Sequence, residues 1–300
     1  MMNGPKTKHR FEYGLTYLSG AFLRILPYRL ALSFGSFLGF LAFDVFRVRR
    51  NVTLINLKNS LGDQKNIKEL KKIGRRAYKN IGKSLVEYSL FPSLNKKKIS
   101  RMVEFEGAEN FDEALRRGKG AIVVAGHFGS WEFMGAATSQ RGYPVDFLVG
   151  EQHNILVDNL MNDYRKSMGI GIIKMGAAAK GIIKALKNNR FVAMLSDQDA
   201  GNDGTVVDFF GRPASTPKGP AAFALKMNAP IILGFIIRGN KEKQKIIIEK
   251  PIFIEKSKNK EDDIRKLTQA YTSVLEHYIR KYPDHWFWPH RRWKSTTKEY

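Results

Sequence analysis

The chain has no cysteine in 300 residues. That excludes disulfides, thiolate-held zinc and a thiol nucleophile. Any covalent catalysis would need an oxygen or nitrogen nucleophile. Acidic residues are scarce beside basic ones: 28 Asp and Glu against 51 Lys and Arg, a net charge of +23. Such an excess points to an anionic partner, whether nucleic acid, anionic lipid or an acidic carrier protein. Lysines in plain solvated helices account for part of it. No uncharged run reaches the ~20 residues of a membrane span. The longest, Leu30 to Phe43, has 14. No small-x-small cleavage site follows it, which argues against a removed signal peptide. There is no internal repeat, no low-complexity linker and no Gly-x-Ser-x-Gly elbow.

What is present is organised around Ala121 to Phe133, AIVVAGHFGSWEF. A short apolar run ends at Gly126. His127 follows, then Phe128, Gly129 and Ser130, a residue suited to a helix N-cap. The pattern predicts a buried strand, a tight turn and a helix start. It sets His127 at the carboxyl end of a strand, where open α/β sheets bind ligands. A histidine there can act as a base when a carboxylate holds its tautomer. Glu132, five residues on, is the expected partner. The competing reading is a structural histidine, with Glu132 favoured by the helix dipole alone. A second such spacing, His153 with Asp158, has no strand before it and is set aside.

The remaining pattern predicts an α/β fold with a mostly parallel central sheet and helices on both faces. Strands are expected at 121–126, 144–149, 171–175, 191–196, 230–238 and 244–254, with a short one near 102–105. Helices are expected at 111–117, 131–140, 154–168, 177–188, 217–228 and 260–282, and through most of 51–90. The basic run Lys96 to Arg101 reads as a loop, and so does 200–216. Residues 1–50 read as an N-terminal membrane-associated helical segment, inserted or interfacial. Its flanking basic residues, Lys6 to Arg10 and Arg47, Arg49 and Arg50, suit an anionic cytoplasmic leaflet. Residues 51–300 form the α/β domain.

Other groups carry possible chemistry. Asp197-Gln198-Asp199 follows an apolar strand and suits polar contacts to a substrate. No further ligand stands at metal spacing, so no metal is expected. Phe209 and Phe210 suit the wall of an apolar ligand pocket, or else anchor a loop. Arg165 suits an anion clamp, or complements its helix dipole. The tail His285 to Lys294 mixes three tryptophans with Arg291, Arg292 and Lys294. Aromatic plus basic suits a membrane interface or a phosphate site.

These residues together resemble the late, lauroyl and myristoyl, acyltransferases of lipid A biosynthesis. The likeness covers almost the whole chain. It runs through Arg49-Arg50-Asn51, Asn56-Leu57, Gly126-His127-Phe128-Gly129, Trp131-Glu132, Tyr164-Arg165, Asp197-Gln198-Asp199, Phe209-Phe210-Gly211, Pro213 and His290-Arg291-Arg292. It implies that His127 is the general base and Glu132 its partner. Backbone amides at Gly129 and Ser130 would hold the oxyanion. Arg165, Asp197, Gln198, Asp199, Phe209, Phe210, His290, Arg291 and Arg292 would bind substrate. It implies an acyl-carrier protein as donor, a lipid A precursor as glycolipid acceptor, no cofactor, and a place on the cytoplasmic face of a bacterial inner membrane. Two alternatives stay open. One is transfer to another glycolipid or lysophospholipid, including phosphatidylinositol mannosides, from coenzyme A or carrier protein. The other is a basic, non-catalytic protein binding nucleic acid or membrane. No nucleic-acid motif supports that one, and the basic residues are spread along the chain.

Overall fold

The computed structural model describes residues 7–239, 243–297 and 300. Alternation along the strands sorts side chains into two cores, one on each face of a single sheet. In β2 (Ala121–Ala125), Ala121, Val123 and Ala125 enter one core, and Ile122 and Val124 the other. In β5 (Phe191–Leu195), Phe191 faces one core while Val192 and Met194 face the other. Seven strands form the sheet. Their order is β1 (Val103–Glu106), β9 (Gln244–Ile248), β8 (Ile231–Arg238), β2, β5, β3 (Val145–Val149) and β4 (Gly171–Lys174). Every neighbouring pair is parallel except β8 with β9.

Helices cover both faces, as the pattern predicts. α9 (Ala178–Lys187), α10 (Gly219–Met227) and α11 (Lys260–Lys281) close one core. α5 (Lys96–Met102), α6 (Glu109–Arg116), α7 (Trp131–Gln140) and α8 (Ile155–Ser167) close the other. α3 (Arg50–Leu61) and α4 (Ile67–Ser89) precede the sheet. Asn66 and Glu69 start α4 with reciprocal cap bonds, the arrangement that satisfies two otherwise orphaned amides.

Several local expectations change. Residues 96–101 are helical, not a loop, because Asn95 accepts from the Lys98 amide at 2.9 Å and Ile99 is buried. The helix expected from 111 begins earlier, at Glu109, and the Asn110 side-chain amide donates to the Ile248 carbonyl at 2.8 Å. The loop read at 200–216 contains a hairpin, β6 (Thr205–Phe209) with β7 (Arg212–Thr216). Its two turn residues, Phe210 and Gly211, have φ of 60° and 71°. Positive φ at both positions gives the strands the twist they need.

The N-terminal helices lie on the body of the protein. α2 (Tyr28–Phe40) runs along α4, and α1 (Thr7–Ile25) rests on α8 and α4. Gly35 and Gly39 let the backbones touch: a Cβ on Gly39 would stand 2.2 Å from the Tyr78 carbonyl oxygen, and one on Gly35 2.6 Å from that of Gly82. Among the described residues, Tyr28–Val45 is the one helix long and apolar enough to cross a membrane, by length and composition; 28% of it is buried. The outward sides of α1 and α2 are apolar, with Phe11, Leu18, Ile25 and Leu30 all exposed. Lys6, first of the flanking basic residues, lies outside the described residues.

Candidate active site

β2 and β5 are parallel neighbours with Ala125 opposite Leu195. Two residues beyond each strand end, the chain places His127 and Asp197 side by side. His127 Nδ1 lies 2.8 Å from Asp197 Oδ1, and the His127 amide donates to Oδ2 at 2.8 Å. The Trp286 indole donates to the same Oδ2 at 2.8 Å. Gly126 makes the approach possible, because a Cβ there would stand 3.3 Å from Asp197 Oδ2 and 3.0 Å from Leu275. Burial pushes the Asp197 carboxyl up, but the charge and hydrogen bonds of His127 and the bond from Trp286 outweigh it and hold it at about 2. Burial pushes the His127 imidazole down, and Asp197, helped by Glu132, outweighs that and raises it above its usual value. In the neutral ring, Nδ1–H donated to the carboxylate leaves the Nε2 lone pair as a base. The His127 side chain is 20% exposed and that of Asp197 2%, so the ring is the part a substrate can reach. Trp131 and Phe287 flank it at 5.0 and 5.9 Å between ring centroids.

Glu132 therefore does not take the orienting role expected of it. Both its oxygens are engaged by Arg165, at 2.6 and 3.0 Å. Arg165 also donates to Asn162 at 2.8 Å and lies over the Tyr88 ring. α7 begins at Trp131, so Glu132 points from its first turn toward α8. The pair stands beside the histidine without bonding it.

One of the two expected oxyanion donors is already engaged. The Gly129 amide is taken by the His285 carbonyl at 2.7 Å, so it cannot hold an oxyanion. Gly129 has φ of 57°, and a Cβ would meet the Ile236 carbonyl at 2.2 Å. Only glycine fits this crossing. Ser130 stands at the α7 N-cap, but its side chain makes no cap bond; its hydroxyl lies by the Glu87 carboxylate instead.

Most of the other expected substrate residues are structural. Phe209 is 0% exposed and packs edge-on against Trp286. Phe210 is buried under the Arg280 guanidinium. They belong to the core, not to a ligand wall. Arg292 is 1% exposed and donates to the Ser215 carbonyl at 2.6 Å and to Thr216 Oγ1 at 2.5 Å. Burial pushes its guanidinium down to about 10. His290 Nε2 accepts from the Asp199 amide at 3.0 Å, and the Asp199 carboxylate takes the Ser295 hydroxyl at 2.5 Å. Asp199 and His290 thus fasten the tail. Gln198 is half-buried and Arg291 exposed. The tail tryptophans Trp286, Trp288 and Trp293 are all buried, so they serve the core rather than a membrane interface. The tail reaches the site by pairing: the Phe287 amide donates to the His127 carbonyl at 2.9 Å.

The two rings that flank the histidine each line a cavity, Trp131 one and Phe287 the other. One, of about 90 Å³, lies under α7 against β2, β3 and β5. Its walls include Val123, Ala125, Trp131, Met134 and Phe147, with Glu132 and Arg165 at its polar edge. The other, of about 410 Å³, lies between α2, α4 and the tail.

Sequence comparison places the chain among known proteins. The family of bacterial lipid A biosynthesis acyltransferases matches residues 5–295. A phosphatidylinositol mannoside acyltransferase of Mycobacterium tuberculosis (strain CDC 1551 / Oshkosh) is 28% identical over 47% of this chain and 46% of its own length. The chain thus spans about half the length of that relative. A lipid A biosynthesis acyltransferase of Haemophilus influenzae is 28% identical over 65% of this chain and 60% of its own. The lipid A biosynthesis lauroyltransferase of Escherichia coli (strain K12) is 25% identical over 96% of this chain and 94% of its own. With a match from residue 5 to residue 295, the chain belongs to the bacterial lipid A biosynthesis acyltransferase family.

Proposed function

We propose that the protein transfers a fatty acyl chain from a carrier-protein thioester to a hydroxyl of a lipid A precursor, at the cytoplasmic face of an inner membrane. One observation carries the reading: a histidine and a buried carboxylate paired at the ends of adjacent parallel strands, beside an apolar cavity. His127 Nε2 accepts the proton of the acceptor hydroxyl as its oxygen attacks the thioester carbonyl. The C–O bond forms and the C–S bond breaks. The departing thiolate takes the proton back from Nε2. Asp197 stabilises the imidazolium in between. No covalent enzyme intermediate is needed, which suits a chain without cysteine. The α7 N-terminus, which the Ser130 side chain does not cap, offers first-turn amides to the oxyanion.

The cavity under α7 suits the donor's acyl chain, with the Glu132–Arg165 pair at its edge. The net charge of +23 suits an acidic carrier protein and a phosphorylated acceptor. The exposed apolar sides of α1 and α2 suit attachment to the bilayer that holds that acceptor. A second acceptor class is specifically favoured by the mycobacterial relatives, named for phosphatidylinositol mannosides.

The test is acyl transfer by the purified protein in detergent. Carrier-protein and coenzyme A thioesters are offered with a Kdo-bearing tetra-acylated lipid A precursor or a phosphatidylinositol mannoside. Wild type is compared with His127→Ala. Transfer from the carrier protein to the lipid A precursor, lost in the variant, supports the reading. Transfer only to the mannoside moves the acceptor. Absence of any His127-dependent thioester chemistry sinks it.

A further inference from the structure

The second cavity has no part in the chemistry described so far. Its volume, about 410 Å³, falls in the ~300–1,000 Å³ range of ligand sites. Leu38 and Ala42 line it from α2 and the π-helical segment 41–45 that continues it, Ile81 and Leu85 from α4, and Phe287 and Pro289 from the tail. Among the described residues that line it, Arg49 is the one with a charge. Its inner end comes within one side chain of the histidine, because Phe287, which lines it, also flanks the His127 ring at 5.9 Å. Its outer end opens onto lipid-like surface, since Leu38, Leu85 and Val48 are 45%, 60% and 52% exposed.

Arg49 marks the mouth. Its backbone is left-handed, with φ of 48°, a conformation that costs energy in a non-glycine residue. One guanidinium nitrogen donates to the Pro289 carbonyl at 3.3 Å, and the side chain is otherwise exposed. Arg47, two residues earlier, is also left-handed and exposed. An apolar channel with arginine at its entrance fits an acyl chain attached to an anionic headgroup, since the guanidinium fork matches phosphate.

We infer that this cavity seats an acyl chain of the acceptor lipid, with Arg49 on a headgroup phosphate. Donor and acceptor chains then approach His127 from opposite sides. The inference rests on the acyltransfer reading and assigns its two chains. A donor on a soluble carrier must deliver its chain into an enclosed slot, and the cavity under α7 is walled by the sheet. An acceptor stays in the bilayer, and the second cavity opens on the exposed apolar flank of α2 and α4.

Filling the cavity tests this. Ala42→Trp and Ile81→Trp fill it from two helices, and Val48→Trp narrows it from an exposed position that the fold tolerates. KM for the tetra-acylated acceptor should rise by about tenfold or more with kcat near wild type. KM for the same acceptor stripped of its acyl chains, and the preference among donor chain lengths, should not move. Arg49→Gln should raise KM for the phosphorylated acceptor and leave the dephosphorylated one alone. An unchanged KM for the acylated acceptor overturns the inference, and so does a shift in donor chain preference. The last arm is independent of turnover. A phosphatidate carrying a benzophenone on one acyl chain, in vesicles, is photolysed with the full chain and the adducts are mapped. Adducts in residues 38–48 or 81–86 support the site even if no transfer is seen, which would isolate the failure to the acyltransfer reading. Adducts confined to α7 and β3 overturn it.

Discussion

Asp197 Oδ1 sits 2.8 Å from His127 Nδ1 across a gap of 70 residues in sequence. The carboxylate also receives the His127 amide and the Trp286 indole. An amide side chain in place of Asp197 would keep the shape and lose the charge, and would favour the wrong histidine tautomer. Asp197→Asn should lower kcat by roughly 10²–10⁴-fold with little change in the KM of either substrate. Steady-state kinetics of the purified variant check this. A loss under tenfold would give the orienting role back to another group.

In the proposed mechanism the same pair sets the pH dependence. The base must be neutral to work, and the imidazole is held above its usual value, with burial opposing and Asp197 raising it. Activity should therefore rise with pH through that elevated value, not through the ~6.5 of an ordinary histidine. Asp197→Asn removes the raising charge, so the residual activity should have its acid limb displaced to lower pH. Stability follows by linkage. Asp197 is held at about 2, below its usual 3.8. It contributes stability that is present above its unfolded value and is lost as pH falls from 3.8 toward 2. His127, raised, contributes stability present below its unfolded value and lost as pH rises through the folded one. The rate profile of kcat/KM and thermal unfolding against pH read the two separately.

The strand that leads into His127 was legible because both halves of its signal are local. A five-residue apolar run stops at a glycine, and a helix begins five residues later at Trp131. Its partner was not, because nothing near Asp197 says that β5 lies next to β2. Glu132 stood close in sequence and was the natural choice, but the N-terminal turn of a helix aims it at α8 instead. The β6–β7 hairpin was hidden by Pro213, which argues against a strand. Pro213 is accommodated because this ribbon has only two strands, so one side of each is an edge. The tail misled for a different reason. Arg291 and Arg292 are adjacent, yet one is exposed and the other 1% exposed. Composition cannot tell a basic surface from one arginine buried under aromatic rings.

Glu132 and Arg165 make a second test, separate from the dyad. Their side chains are 14% and 10% exposed, and the bond is bidentate. Glu132→Gln leaves the arginine charge poorly compensated, which costs about 3 kcal/mol or more in buried pairs. Some of that is screened at this partly exposed site, so a loss of about 2 kcal/mol is expected, read as a lower unfolding temperature in detergent. The acid limb of the rate profile should move slightly to lower pH, because the Glu132 charge helps raise His127. A collapse of kcat as large as that of Asp197→Asn, with stability unchanged, would make Glu132 a direct partner in the chemistry.

The last prediction concerns how the N-terminal helices reach the site. Glu87 of α4 is 0% exposed. It receives Arg238 twice, at 2.7 and 2.8 Å, Gln244 at 2.7 Å and the Tyr28 hydroxyl at 2.7 Å. Tyr28 opens α2, and Arg238 and Gln244 belong to β8 and β9, so one carboxylate joins three parts of the fold. Arg238 continues the chain of contacts, since its amide donates to His285 Nε2 at 3.0 Å. The His285 carbonyl then holds the Gly129 amide, two residues from His127. Arg238→Met strands the Glu87 charge and should cost about 3–5 kcal/mol. Glu87→Leu with Arg238→Met removes both charges and should recover much of the loss. Tyr28→Phe removes one hydrogen bond to a charged group and should cost about 1.5–3 kcal/mol. If the network also positions the 127–129 turn, the double variant should keep its regained stability and still show a lower kcat than wild type. Equal recovery of stability and kcat would restrict the network to holding the helices on the sheet.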